Sequence, residues 1–260
     1  MAGIEVQAIG HLRAKPGVPG VLTLLPGVIR GVATTYYVQG GDSGYCPLRQ
    51  PQRGQAFLFI RGTGAVHTGT DELLVKEVAA FCPAAAGPIN IIAGSEGLEY
   101  LEILIDLQSH ETLPTQPHPF FMPYSDCEAY TEAIKSPKTV SRTLVPTHTL
   151  PRFCMGSVET SGPDTVGAHA HPMLEQLFFG LAGNRCIVTA DDDEAVLEER
   201  MLLHIPSGSR HGVRVEGGCR LHYVWMDFFR DTAGLAYIHD QHKPVEDTPA
   251  AHRADSKQGA

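Results

Sequence analysis

The stretch Gly167-Ala-His169-Ala-His171-Pro-Met-Leu-Glu175-Gln176, with Gly183 behind it and Pro206-Ser-Gly208-Ser-Arg-His211 further on, carries most of the information in this chain. Alternate residues of a strand share a face, so His169 and His171 turn both imidazoles the same way. A carboxylate or carboxamide follows within a few residues, and a third imidazole, His211, arrives behind a Pro-x-Gly turn. Three imidazoles and one such oxygen, converging inside a closed β-sheet, are a donor set for one divalent transition metal. The ligand types fit Zn, Mn, Fe or Ni, and spacing does not choose among them.

The rest of the chain reads as short strands. Glycine (27) and proline (19) punctuate runs rich in Val, Ile, Leu, Phe and Tyr. Examples are Ala56–Ile60, Ile89–Ile92, Glu99–Ile105, Gln176–Phe179 and Leu221–Phe228. Close spacing of such runs predicts an all-β sandwich or barrel. Two segments are predicted as helix, Ser125 to Ile134 and a piece near Arg230 to Ile238. The two halves repeat weakly. Gln55 stands seven residues before Gly62, with Pro83 beyond, and Gln176 stands seven before Gly183, with Pro206 beyond. Two barrels of similar length account for this. The expected layout is a first barrel over 1–107, a Pro/Thr/Ser/His-rich linker over 108–146, a second barrel over 147–244 and a frayed polar tail over 245–260.

Composition excludes several classes. A formal charge of -9, from 20 basic and 29 acidic residues, is no footprint for nucleic acid. No apolar run approaches the ~20 residues of a membrane helix. The start, Met1-Ala-Gly-Ile-Glu-Val6, lacks the basic-then-apolar pattern of a secretory signal. The six cysteines form no C-x-x-C pair and sit mostly among apolar residues, as reduced thiols do. A cytoplasmic protein with a small-molecule substrate, and without nucleic-acid or membrane partners, is expected. Gly-x-Ser-x-Gly and glycine-rich phosphate loops are absent.

The two motifs, Gly-x-His-x-His-x(3,4)-Glu-x6-Gly and Pro-x-Gly-x-x-His, resemble those of the cupin superfamily. Here they are His169-Ala-His171, a residue at 175 or 176, Gly183, and Pro206-Ser-Gly208-Ser-Arg-His211. With the internal repeat, the chain resembles a bicupin, which implies two double-stranded β-helix (jelly-roll) barrels in one chain and a homodimer. The layout of a motif-poor first barrel and a metal-type second one is similar to that of ureidoglycine aminohydrolases. Their ligand set differs: Glu-x-His, then His, then Gln. Against the motif, Glu175 keeps the short spacing from His171, whereas Gln176 keeps the six residues before Gly183. Strand neighbours face opposite ways, so only one of the two looks inward. The strand-to-turn distance favours Gln176, as does its counterpart Gln55. In the first barrel, Leu48, Gln50 and Pro88 occupy the positions matching the histidines, so that barrel holds no metal by this scheme.

The expected metal set is therefore His169, His171, Gln176 and His211, with Glu175 as rival to Gln176. Phe178 is a candidate pocket wall. The last strand leaves two readings open. With even positions inward, Arg220 and His222 meet a substrate carboxylate; with odd positions inward, Tyr223, Trp225 and Asp227 line the site. Arg220, Trp225 and Phe178 are candidate substrate-binding residues, and Glu175, His222 and Tyr223 candidate catalytic ones. His204 is a possible neighbour of the site. The resemblance implies a metal-dependent enzyme acting on a small carboxylate- or carbonyl-bearing metabolite by isomerisation, elimination or hydrolysis. The alternatives are an Fe- or Ni-dependent dioxygenase using Glu175, and a non-catalytic binding protein.

Overall fold

The computed structural model describes residues 3–69, 71–113, 119–231 and 234. Its regular structure is almost entirely antiparallel strand. The apolar runs form strands as expected: Ala56–Ile60 lies within Arg53–His67, Glu99–Ile105 within Asn90–Asp106, Gln176–Phe179 within Leu174–Gly180, and Leu221–Phe228 within Arg220–Phe229. The strands fall into two compact units, so the chain is all-β with two barrels.

The first unit is built on one antiparallel pair, Arg53–His67 with Asn90–Asp106. Register shifts between Phe59 and Arg61 and between Gly62 and Gly64 bend both strands, which lets one eight-stranded sheet curl around its own interior. Phe57, Phe59, Val66, Phe81, Ile91, Leu98 and Tyr100 fill that interior. Of the residues matching the histidine positions, Leu48 is 74% exposed and Pro88 is also exposed.

The second unit has two sheets. The larger runs Glu5–Ala8, Met201–Ile205, Leu174–Gly180, Arg220–Phe229, Phe153–Ser161, Val140–Leu150, Ala129–Tyr130. The smaller runs Asp164–Ala170, Arg210–Val215, Arg185–Ala190, Asp193–Glu198. One core joins them, with Phe178, Leu203 and Tyr223 from the larger sheet against Val188, Leu197 and Val213 from the smaller.

The bounds differ from those expected at 107 and 147. Glu5–Ala8 belongs to the second unit, because it pairs antiparallel with Met201–His204 and covers an edge that would otherwise present unpaired backbone groups. Residues 125–147 also belong to the second unit rather than to a linker. The helix expected from Ser125 to Ile134 is not formed. A 3-10 turn spans Tyr124–Asp126, and Ala129–Tyr130 is a short strand paired with Ser141 and Arg142. Local propensity loses here to tertiary bonds: Lys135 Nζ donates to Glu132 (2.6 Å) and to Ser141 Oγ (2.7 Å). The Ser136 and Thr139 hydroxyls donate to Asp164 (2.6 and 2.9 Å). The second expected helix and the tail over 245–260 lie almost wholly outside the described residues. None of the six cysteines is disulfide-bonded, and no helix among the described residues is long and apolar enough to cross a membrane.

The two motif glycines differ in what they protect. Gly62 and Gly183 both have φ in the left-handed region (88° and 72°). A Cβ on Gly62 would lie 2.1 Å from the carbonyl oxygen of Gly97, whereas one on Gly183 meets nothing within 4 Å. Gly183→Ala is expected to cost only the left-handed strain, about 1 kcal/mol. Gly62→Ala adds a backbone collision and is expected to cost ~3 kcal/mol or more. Thermal denaturation of the two variants checks the order.

Candidate metal centre

The site is assembled by one strand pair and one turn. His169 lies directly opposite His211 across the pairing of Asp164–Ala170 with Arg210–Val215. A register shift between Val166 and His169 re-aims the histidine strand. His171 lies just beyond that strand, and its carbonyl accepts the Gly208 N–H (3.1 Å), which ties it to the Pro206–Ser209 turn. Gly208 has φ 81°, as the turn requires.

The imidazoles converge. Ring centroids are 4.7 Å apart for His169–His171, 4.5 Å for His169–His211 and 5.3 Å for His171–His211. One ligand atom from each lies within 4.8 Å of the others, and His171 and His211 are buried. The Nδ1–H of His169 donates to the Gly167 carbonyl (2.8 Å), and that of His211 to the Ser209 carbonyl (3.2 Å). These bonds set the tautomer in which Nε2 of each ring is the electron-pair donor.

Gln176 and Glu175 part as strand neighbours must. Gln176 is buried; its Nε2 donates to Asp227 Oδ1 (2.9 Å), and its Oε1 has no hydrogen-bond partner. Glu175 points away, outside the histidine cluster. Its Oε2 accepts from His204 Nε2 (2.9 Å) and from the Ser207 N–H (3.1 Å), with Arg230 at 3.8 Å. The hydrogen bond from His204 outweighs burial and holds the Glu175 carboxyl below the usual carboxylate range. Glu175 is thus neither a metal ligand nor a group facing the site. It braces the turn that carries His211, and His204 is its partner.

The last strand presents its odd positions to the interior. Tyr223 stacks on Phe178 (4.6 Å, 24°), and Phe178 meets His211 edge-on at 6.2 Å. Trp225 packs against the same core, where Gly156 makes room: a Cβ there would lie 2.3 Å from the indole. Burial pushes the Tyr223 hydroxyl well above its ordinary value, so it keeps its proton. Phe178, Tyr223, Trp225 and Asp227 therefore share the interior with the triad. Arg220 and His222 do not, since even positions face the other way. Arg220 is exposed and pairs with Glu159 at 3.3 Å. His222 lies across from Glu159, which also pairs with Arg142.

Sequence reasoning missed the ion pair Lys135–Glu132, both side chains of which are about 95% buried and lie within electrostatic reach of Asp227. The signal was the i,i+3 pair in Thr131-Glu-Ala-Ile-Lys135, which reads equally well as a solvated helix face.

Residues 158–227 match the family model described as Cupin domain. None of the curated proteins matches the chain. Among solved structures, the chain is similar to the putative glyoxylate-induced protein from Pseudomonas aeruginosa, with a TM-score of 0.73 and 11% identity over 89% of this chain and 91% of that one. It is also similar to a variant of Bacillus subtilis oxalate decarboxylase, with a TM-score of 0.66 and 13% identity over 92% and 78%. An IolB-like protein from Salmonella typhimurium gives a TM-score of 0.67 and 10% identity over 88% and 94%. At these identities the likeness is one of fold.

Two acid–base facts on the outer face give a pH dependence. Burial lowers the His222 imidazolium to about 4. Burial raises the Glu159 carboxyl, but the charges of His222 and Arg142 outweigh it and hold the group below its usual range. The unfolded chain takes up the His222 proton near pH 6.5 and the folded chain does not, so stability is lost as pH falls from about 6.5 to 4. The Tm is expected to drop over that window, and His222→Gln to flatten the drop; an unchanged slope in the variant would assign the loss to other groups.

Proposed function

We propose that this chain, a two-barrel protein of the cupin fold whose residues 158–227 form a cupin domain, is a metal-dependent enzyme. It takes a small polar substrate bearing a carboxylate or carbonyl, and its reaction is isomerisation, elimination or hydrolysis. One divalent ion is held by His169, His171, His211 and Gln176. The observation that carries this reading is the donor set itself. Three clustered imidazoles include two whose Nδ1–H is already spent on a carbonyl, and Gln176, inward on its own strand, has a buried carboxamide oxygen without a partner. A buried acceptor left unpaired is costly unless a cation or donor meets it.

When bound, the ion would act as a Lewis acid toward a substrate oxygen, and four neutral ligands would leave its charge uncompensated. The protein's own groups do the rest. Asp227 holds the Gln176 amide by its nitrogen, which leaves Oε1 available as the fourth donor. Tyr223, protonated at neutral pH, is placed to donate a hydrogen bond to an oxyanion. Phe178 and Trp225 form an apolar wall that restricts water. Asp227 and the Lys135–Glu132 pair are the ionisable groups within reach for proton transfer. The dioxygenase reading that relied on Glu175 as ligand loses that support, since Glu175 is committed to His204 and Ser207.

Chelator-stripped protein titrated with Zn, Mn, Fe(II) and Ni is expected to bind one equivalent. His169→Ala/His211→Ala should abolish binding, and Gln176→Ala should weaken it by about 10-fold or more. Glu175→Gln should keep the affinity within about threefold and lower the Tm instead. Loaded protein is then assayed against small hydroxy- and oxo-acids. Stoichiometric metal without turnover favours the non-catalytic reading, and full binding in the double histidine variant would overturn the site.

A further inference from the structure

The first barrel repeats the buried Gln–carboxylate pair of the second. Gln176 Nε2 donates to Asp227 Oδ1, from the last strand of its barrel (2.9 Å). Gln55, its counterpart in the internal repeat, donates Nε2 to Glu102 Oε1 on the equivalent long strand (2.6 Å). The two amides differ at the other end. Gln176 Oε1 has no partner, whereas Gln55 Oε1 accepts from Arg49 Nη1. Arg49 stands between positions 48 and 50, which match the two histidines of the second barrel's motif. A guanidinium thus lies against the buried carboxamide of the first barrel.

We propose that the first barrel is a ligand site for a small carboxylate, built on Arg49 and Tyr100. The guanidinium is anchored at both ends, to Gln55 and, through Nη2, to the Ala84 carbonyl. That anchoring leaves its Nε–H buried and without a partner. The hydroxyl of Tyr100 is likewise buried and without a partner, in a side chain with no exposure at all. Both residues lie within electrostatic reach of Glu102. Two orphaned donors in one polar cluster call for an acceptor with two oxygens, and a planar guanidinium matches a carboxylate best. Glu102 does not compete for them: its Oε1 is held by Gln55 and its Oε2 by the Tyr37 hydroxyl (2.8 Å). Arg49 offsets the charge of Glu102, so the cluster is near neutral before a ligand enters and suits a monoanion better than a dianion. At the edge of the cluster, Tyr45 and Arg49 are half-buried.

The test uses the full chain with His169→Ala/His171→Ala/His211→Ala, so that the second barrel's triad contributes nothing. Calorimetric titration with acetate, lactate and pyruvate is expected to show saturable binding of at least one of them, and none of uncharged lactamide. Arg49→Met should weaken that binding at least tenfold and Tyr100→Phe at least threefold. Should Arg49→Met fail to fold, Tyr100→Phe decides alone, since it keeps the ring and its volume. Absence of binding by all three carboxylates, or binding unchanged in the variants that fold, would overturn the proposal. Either result leaves the metal reading of the second barrel standing, because the triad is removed throughout.

Discussion

The second barrel depends on the antiparallel pairing of Asp164–Ala170 with Arg210–Val215. That register sets His169 opposite His211, and the register shift before His169 is what lets the pairing resume in phase with the motif. A slip of one residue would turn each imidazole to the other face. The turn at Pro206–Ser209 locks the arrangement by donating the Gly208 N–H to the carbonyl of His171. Glu175 braces the same turn from the opposite face through Ser207 and His204. A carboxylate that looks like a ligand in the motif is instead part of the frame holding one.

The two barrels give contrasting answers to one problem, a buried carboxamide oxygen that needs a positive partner. In the second barrel the ion proposed at the histidine cluster would supply it. In the first, the Arg49 guanidinium supplies it through a hydrogen bond. Both keep the amide nitrogen on a buried carboxylate, Glu102 of Asn90–Asp106 and Asp227 of Arg220–Phe229. The Gln–carboxylate pair thus recurs in both barrels, with an arginine on the amide oxygen in the first and none in the second.

Much of the fold was legible. Strand runs, turn glycines and the weak repeat pointed to two barrels, because alternation and punctuation are local properties that a short window records. The clustering of His169, His171 and His211 was legible for the same reason: the Gly-x-His-x-His and Pro-x-Gly-x-x-His spacings encode a turn and a face. The segment 125–147 was not. Its Glu132 and Lys135 have helical spacing, and only the bonds to Ser141, together with those of Ser136 and Thr139 to Asp164, fix them as a buried edge. The role of Glu5–Ala8 was also hidden, since its partner strand lies almost two hundred residues away.

By itself, then, the amino-acid order determined that His169, His171 and His211 share a face and that one of two adjacent residues joins them. Tertiary structure chose Gln176 over Glu175, and the odd face of Arg220–Phe229 over the even one. The physical reason is common to both. A strand buried on both sides has no hydrophobic pattern to distinguish its faces, so its parity is decided by what packs above and below it. Here Phe178 on one side, and the His204 and Glu159 pairs on the other, make that decision.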